Sequence, residues 1–176
     1  GAGGIAYLGK NVFIAPGDTR LLNGYLDEIA LYNRALTAPE IAAIYNAGSA
    51  GMCRPCAAPP AGIISLWKGE GDAADSLGAN NGTLMNSAAF AAGKVGQAFS
   101  FNGLNGYVDI GSTLSARNKS LRTIAAWIKL NSLSSKNEPI VVEIIGGQSG
   151  AVDLPIRLQL VVRADGSLCM NGRDSD

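Results

Sequence analysis

Residues Ile156-Arg157-Leu158-Gln159-Leu160-Val161-Val162-Arg163 begin as a strict alternation of apolar and polar side chains. Successive side chains of an extended chain point to opposite faces, so this period of two assigns Ile156, Leu158, Leu160 and Val162 to a core and fits no helix. Asp165-Gly166 follows at once, a pair suited to the tight turn of a β-hairpin. The same reasoning predicts strands over residues 25–32, 63–67, 97–101, 107–110, 123–130 and 139–145. Asn105-Gly106 predicts a second hairpin turn, between Phe101 and Tyr107. With 23 glycines and only 16% charged residues, the composition suits many short strands joined by tight turns. The expected fold class is therefore all-β, an antiparallel β-sandwich with one short helix.

That helix is predicted over residues 38–46. Thr37-Ala38-Pro39-Glu40 reads as a capping box, in which the Thr37 hydroxyl and the Glu40 carboxylate each satisfy a backbone amide at the helix start. Leu36 and Ile41 would form a hydrophobic staple, and Pro39 is tolerated where amides lack intrahelical partners. Ile41, Ile44 and Tyr45 form an apolar stripe, and Gly48 can adopt the left-handed terminating conformation. From Gly48 to Gly62 the chain turns rich in Gly, Ala and Pro, which reads as a semi-extended linker.

Several classes of function are disfavoured by composition. A formal net charge of +0 gives no field to steer nucleic acid or an anionic membrane. The chain has no His, which removes the usual general base, the commonest metal ligand and the Ser-His and Cys-His nucleophile pairs. No apolar run is long enough to span a bilayer, and the N-terminus does not read as a signal peptide. Cys53, Cys56 and Cys169 are too few for a four-ligand zinc site, and Cys53-Arg54-Pro55-Cys56 lacks the βαβ setting of a redox motif. A linker disulfide or thiols within a Pro-rich connector remain.

Two blocks resemble a known family. Gly24-Tyr25-Leu26-Asp27-Glu28-Ile29-Ala30-Leu31-Tyr32-Asn33-Arg34-Ala35-Leu36, continued by Thr37-Ala38-Pro39-Glu40-Ile41 and Tyr45-Asn46-Ala47-Gly48, resembles the C-terminal signature of LamG-like jelly-roll domains. These belong to the concanavalin A-like lectin/glucanase superfamily. Leu66-Trp67-Lys68-Gly69-Glu70-Gly71, Asp75, Gly82-Thr83-Leu84, Gly93-Lys94-Val95-Gly96-Gln97-Ala98-Phe99-Ser100-Phe101-Asn102-Gly103, Tyr107-Val108 and Thr123-Ile124-Ala125-Ala126-Trp127-Ile128-Lys129 resemble its N-terminal signature. The closing block thus precedes the opening one. The resemblance implies that residues 1–50 are the C-terminal part of one repeat, 51–61 a linker, and 62–176 the N-terminal part of the next, in a fragment spanning two tandem repeats. Alternatively the two parts form one circularly permuted sandwich, with the strand at 25–32 filling the vacancy beside 63–67.

The resemblance further implies a structural calcium where first and last strands meet, with Asp27, Glu70 and the Gly103 carbonyl as ligands and Asp72 and Asp75 as further oxygen donors. The competing reading makes Asp27 and Glu28 strand-surface charges, Glu70 a solvated loop residue and Asp75 a turn cap. Trp67 and Trp127 each lie in an apolar strand and are expected in the core. Tyr7, Tyr25 and Tyr107 are less committed. Glycoside hydrolysis needs two carboxyls flanking one bond, whereas Asp27 and Glu28, adjacent on a strand, should point to opposite faces, and Glu143 is isolated. No catalytic residues are assigned. The implied role is a non-catalytic glycan-binding or adhesion module of a secreted or cell-surface, bacterial protein. The alternatives are a structural or protein-interaction spacer and an accessory module of a secreted hydrolase.

Overall fold

The computed structural model describes residues 5–10, 20–52, 58–112, 114, 123–132, 140–145 and 157–173. Cys53 and Cys56, and the expected strand starts Pro139 and Ile156, lie outside them. The described strands are β1 (Ile5–Leu8), β2 (Asn23–Tyr32), β3 (Ile63–Trp67), β4 (Thr83–Met85), β5 (Ala89–Ala92), β6 (Gln97–Asn102), β7 (Tyr107–Gly111), β8 (Thr123–Leu130), β9 (Ile140–Ile145), β10 (Arg157–Val162) and β11 (Leu168–Arg173). One α-helix, α1 (Ala38–Ala47), follows β2. The strands form two antiparallel sheets, an all-β sandwich. One sheet is six-stranded in the order β11-β10-β9-β1-β7-β4, and the other is five-stranded, containing β3, β2, β6, β5 and β8.

Strand β2 is the hub of the five-stranded sheet. Its first half, Asn23 to Leu26, pairs with β6, and its second half, Ile29 to Tyr32, pairs with β3. Because residues in both halves also pair with β8, β6 and β3 share one edge of β2 while β8 runs along the other. The strand at 25–32 therefore lies beside Ile63–Trp67, and β1 sits between β7 and β9 in the opposite sheet. Both sheets draw on residues from each side of the linker.

The core between the sheets includes Leu26, Ile29, Leu31, Trp67, Phe99, Phe101, Val108, Ile110 and Ile144, with Leu160 and Val162 completing the alternation of β10. Each such side chain contributes roughly 1.5–3 kcal/mol when fully buried. Trp67 is wholly buried, and its indole N–H donates to the Asn80 carbonyl at 2.8 Å. Asp165-Gly166 closes the β10–β11 hairpin. Asn105-Gly106 does not make a hairpin: β6 and β7 belong to different sheets, so residues 103–106 form a corner between layers. Asn102 holds that corner, its side-chain oxygen accepting from the amides of Leu104, Asn105 and Gly106.

At α1 the capping box forms, with Glu40 Oε2 accepting from both the amide and the hydroxyl of Thr37 at 2.9 Å. Arg34 grips the same carboxylate with both terminal nitrogens and donates through Nε to the Ala61 carbonyl, tying strand end, helix start and linker together. Gly48 ends the helix at φ 55°, its amide donating to Tyr45. The expected apolar stripe is only partly covered. Ile44 and Leu36 pack on Ala30, Tyr32, Met52 and Leu66, whereas Ile41 and Tyr45 are 53% and 68% exposed.

Candidate functional site: an acid and two aromatic rings on the outer face of a sheet

The site is built by a β-bulge. Asp27 pairs with Trp127 and Ala30 with Ala125, so Glu28 and Ile29 together oppose Ala126 alone. One extra residue shifts the parity of the strand: Leu26 faces the core before the bulge, and Ile29 and Leu31 face it afterwards. The adjacent carboxylates Asp27 and Glu28 therefore do not alternate between faces as a regular strand requires. Glu28 adopts a left-handed φ of 51°, costly for a residue with a Cβ. Both are only 2% exposed, which corrects their reading as surface charges.

Each carboxylate meets a different segment. Glu28 Oε2 accepts from the Met52 amide at 2.7 Å, where the chain folds back after the helix. Asp27 Oδ2 accepts from the Val95 amide at 2.8 Å, in the loop of residues 93–96 between β5 and β6. Burial pushes both carboxyls above the ordinary carboxylate range, against the lowering effect of these amides. Asp27 Oδ1 is buried with no hydrogen-bond partner in the structure.

Glu70 reaches the end of the same loop, its Oε2 accepting from the Gln97 amide at 3.0 Å, and its charge acts on Asp27. Glycine is needed where the loop meets the acids. A Cβ on Gly93 would stand 2.6 Å from Asp27 Oδ2, and one on Gly96, at φ 45°, would overlap the Glu70 carboxylate. Of the three expected calcium ligands, the fold thus brings Asp27 and Glu70 to one loop. Gly103 packs against Asn23, four residues along β2 from Asp27, and does not join them. Asp75 is a turn residue whose oxygens accept from the amides of Leu66, Leu77 and Asn80; Asp72 accepts from Ala74. Among the described residues no group of three His, Cys, Asp or Glu is placed to hold a metal ion.

Beside Asp27 lies a cavity of about 260 Å³ whose lining includes Tyr25, Gly93, Lys94, Trp127 and Lys129. Trp127 departs from its expected place in the core. Ile124, Ala126, Ile128 and Leu130 face the core from β8, and the alternate positions, Trp127 and Lys129, lie on the outer face. Trp127 is half-buried, with Tyr45 of the helix 5.6 Å from it between ring centroids. Lys129 in the same strand carried the signal: a lysine two positions from a tryptophan puts both on the solvent side. A second cavity, about 280 Å³, lies on the helix side of Trp127 and is lined mostly by apolar groups such as Leu36, Ile44 and Ile124, with Glu28 among them.

The remaining half-exposed aromatic pair is Tyr7 and Tyr107, edge to face at 5.2 Å on the six-stranded sheet. Lys10 lies 3.8 Å from the Tyr107 ring centroid and 4.8 Å from that of Tyr7, a cation–π contact to both rings. Arg163 donates to Cys169 Sγ at 3.1 Å. Among the described residues no helix is long and apolar enough to cross a membrane. Comparison of the chain with protein-family models, curated proteins and solved structures finds no match.

Proposed function

We propose that the chain is a non-catalytic glycan-binding module, with its site in the cavity between Tyr25 and Trp127. The observation that carries this reading is Asp27: a buried carboxylate lining that cavity, with one oxygen left without a partner. Such an acceptor costs free energy unless a ligand donor meets it, and a sugar hydroxyl is such a donor. Half-exposed aromatic rings beside it supply the apolar surface on which a sugar face packs. The volume lies near the small end of ligand pockets, roughly 300–1,000 Å³, and suits one sugar ring. Asp27 and Glu28 accept from separate amides and line separate cavities, so they do not flank one bond as glycoside hydrolysis requires. The resemblance to LamG-like jelly-roll domains and the two-sheet fold support the same reading, and a secreted or cell-surface, bacterial setting is part of the proposal.

The test is binding of the intact chain to a glycan array and to insoluble polysaccharides, with and without calcium. Binding that falls about tenfold or more in Trp127→Ala and in Asp27→Asn supports the site. Absence of binding to any glycan removes it.

The alternative occupant of the unpartnered Asp27 oxygen, in place of the sugar hydroxyl, is a structural calcium. Its support is the unpartnered Asp27 Oδ1 together with Glu70 at the same loop; these two carboxylates would supply part of the oxygen shell. A melting temperature unchanged between chelator and millimolar calcium would remove it, since a ligand of the native state must raise apparent stability.

A protein-interaction spacer is the second reading, favoured by the exposed Ile41 and Tyr45 on α1. Ile41→Asp separates the two. It leaves glycan binding intact if the cavity is the site, and abolishes partner capture if the helix is.

A further inference from the structure

Two charges at the cavity rim have no role in the reading above. Lys94 and Lys129 are exposed, with their ammonium groups 5.1 Å from the Trp127 ring centroid and 5.5 Å from that of Tyr25. Neither forms an ion pair among the described residues. The whole chain has a formal net charge of +0, so these two ammonium groups do not reflect a basic surface at large, and Asp27 and Glu70 balance them at the other end of the cavity.

The cavity therefore has two unlike ends. At the floor lies Asp27, whose buried Oδ1 has no hydrogen-bond partner and is free to accept one from a ligand, and the Glu70 charge that acts on Asp27 makes this end hostile to anions. At the rim, the ammonium groups themselves sit over the Trp127 and Tyr25 rings at cation–π distance, and as exposed groups without an acidic partner among the described residues they can turn to a ligand's counter-charge. A well-matched ligand donates hydrogen at one end, offers an apolar face in the middle and carries negative charge at the other. A neutral hexose meets the first two demands. A uronic acid or a sulfated sugar meets all three.

We infer that the cavity selects an anionic sugar, with its carboxylate or sulfate held by Lys94 and Lys129 while a ring hydroxyl donates to Asp27. This rests on the glycan reading and adds its charge class. A rim ion pair gains little alone, so each lysine should account for about threefold in affinity and the pair for about tenfold. Binding should weaken as salt rises, as expected for exposed charges.

The experiment is calorimetric titration of the intact protein with four soluble polymers: polygalacturonate, its methyl ester, dextran sulfate and dextran. Binding of either acidic polymer at least tenfold tighter than its neutral counterpart is expected, and the acidic polymer that binds identifies carboxylate or sulfate as the source. Lys94→Gln/Lys129→Gln, both at exposed positions, should lose about tenfold for that polymer without a change in melting temperature. Equal binding of acidic and neutral counterparts, or a double variant that binds as tightly as the parent, overturns the charge inference while the glycan reading stands. Binding to none of the four overturns the charge inference, and silence on the full glycan array as well overturns the reading beneath it.

Discussion

Glu28 carries two opposing effects at one position. Its φ of 51° penalises any residue with a Cβ, while its carboxylate satisfies the buried Met52 amide. Glu28→Ala keeps the strain and strands that donor, for an expected loss of about 2 kcal/mol. Glu28→Gly loses the bond but relieves about 1 kcal/mol of the strain, so urea unfolding should order the proteins as parent, then glycine, then alanine. Titration separates the acids by sign. Asp27 is raised by burial, so its contribution to stability is full below an unfolded value near pH 4 and is lost as pH rises through its folded value. Asp27→Asn in chelator should therefore be more stable than the parent at pH 7, and the gain should vanish near pH 3. Glu40 behaves oppositely, held down to about 2, first by its hydrogen bond from Arg34. Its contribution is present above about pH 4.5 and is lost as pH falls toward 2, so Glu40→Gln should lower the melting temperature at pH 7 and leave it unchanged near pH 2. Neither the strain nor the burial of this acid pair was legible in the sequence, because a bulge inserts its extra residue without any local composition mark. Asp27-Glu28 reads as ordinary alternation until its register with β8 is known.

Among the elements, β2 bears the greatest load, since it pairs with β3, β6 and β8. Leu26→Ala or Ile29→Ala should cost about 2–5 kcal/mol by leaving a cavity in the core, whereas Ile41→Ala on the exposed side of α1 should cost well under 1 kcal/mol. Chemical unfolding of the three variants checks the contrast. Strand β8 shows how far pattern reading reaches. Its limits over Thr123–Leu130 follow from β-propensity, and its faces follow from Lys129, but the apolar run around Trp127 hides the alternation behind two alanines. Strands β1, β4 and β5 carry three or four residues each, too short for a period to declare itself. Asn105-Gly106 marks a turn correctly, yet turn chemistry is local and does not say whether the flanking strands pair or part into separate sheets.

For the molecule as a whole, the main consequence of the topology is that the segment before the linker is not an appendage. It supplies β1 to the middle of one sheet and β2 to the middle of the other. A chain reduced to residues 58–176 would open both sheets and expose their strand edges, so it should lose cooperative unfolding and associate. The same arrangement places the cavity where the two segments meet: Tyr25 and Asp27 come from one, and Lys94, Trp127 and Lys129 from the other. The site residues stand apart in sequence by up to about a hundred positions, so the motifs that contain Tyr25, Asp27, Lys94, Trp127 and Lys129 do not reveal that these side chains meet. Tryptophan fluorescence tests the proposed site most directly, because Trp67 is wholly buried and Trp127 is not. Titration of the intact chain with polysaccharides should give a saturable emission change that disappears in Trp127→Phe, where Trp67 alone reports. No change with any polysaccharide, or an undiminished change in Trp127→Phe, would contradict a glycan site at this cavity.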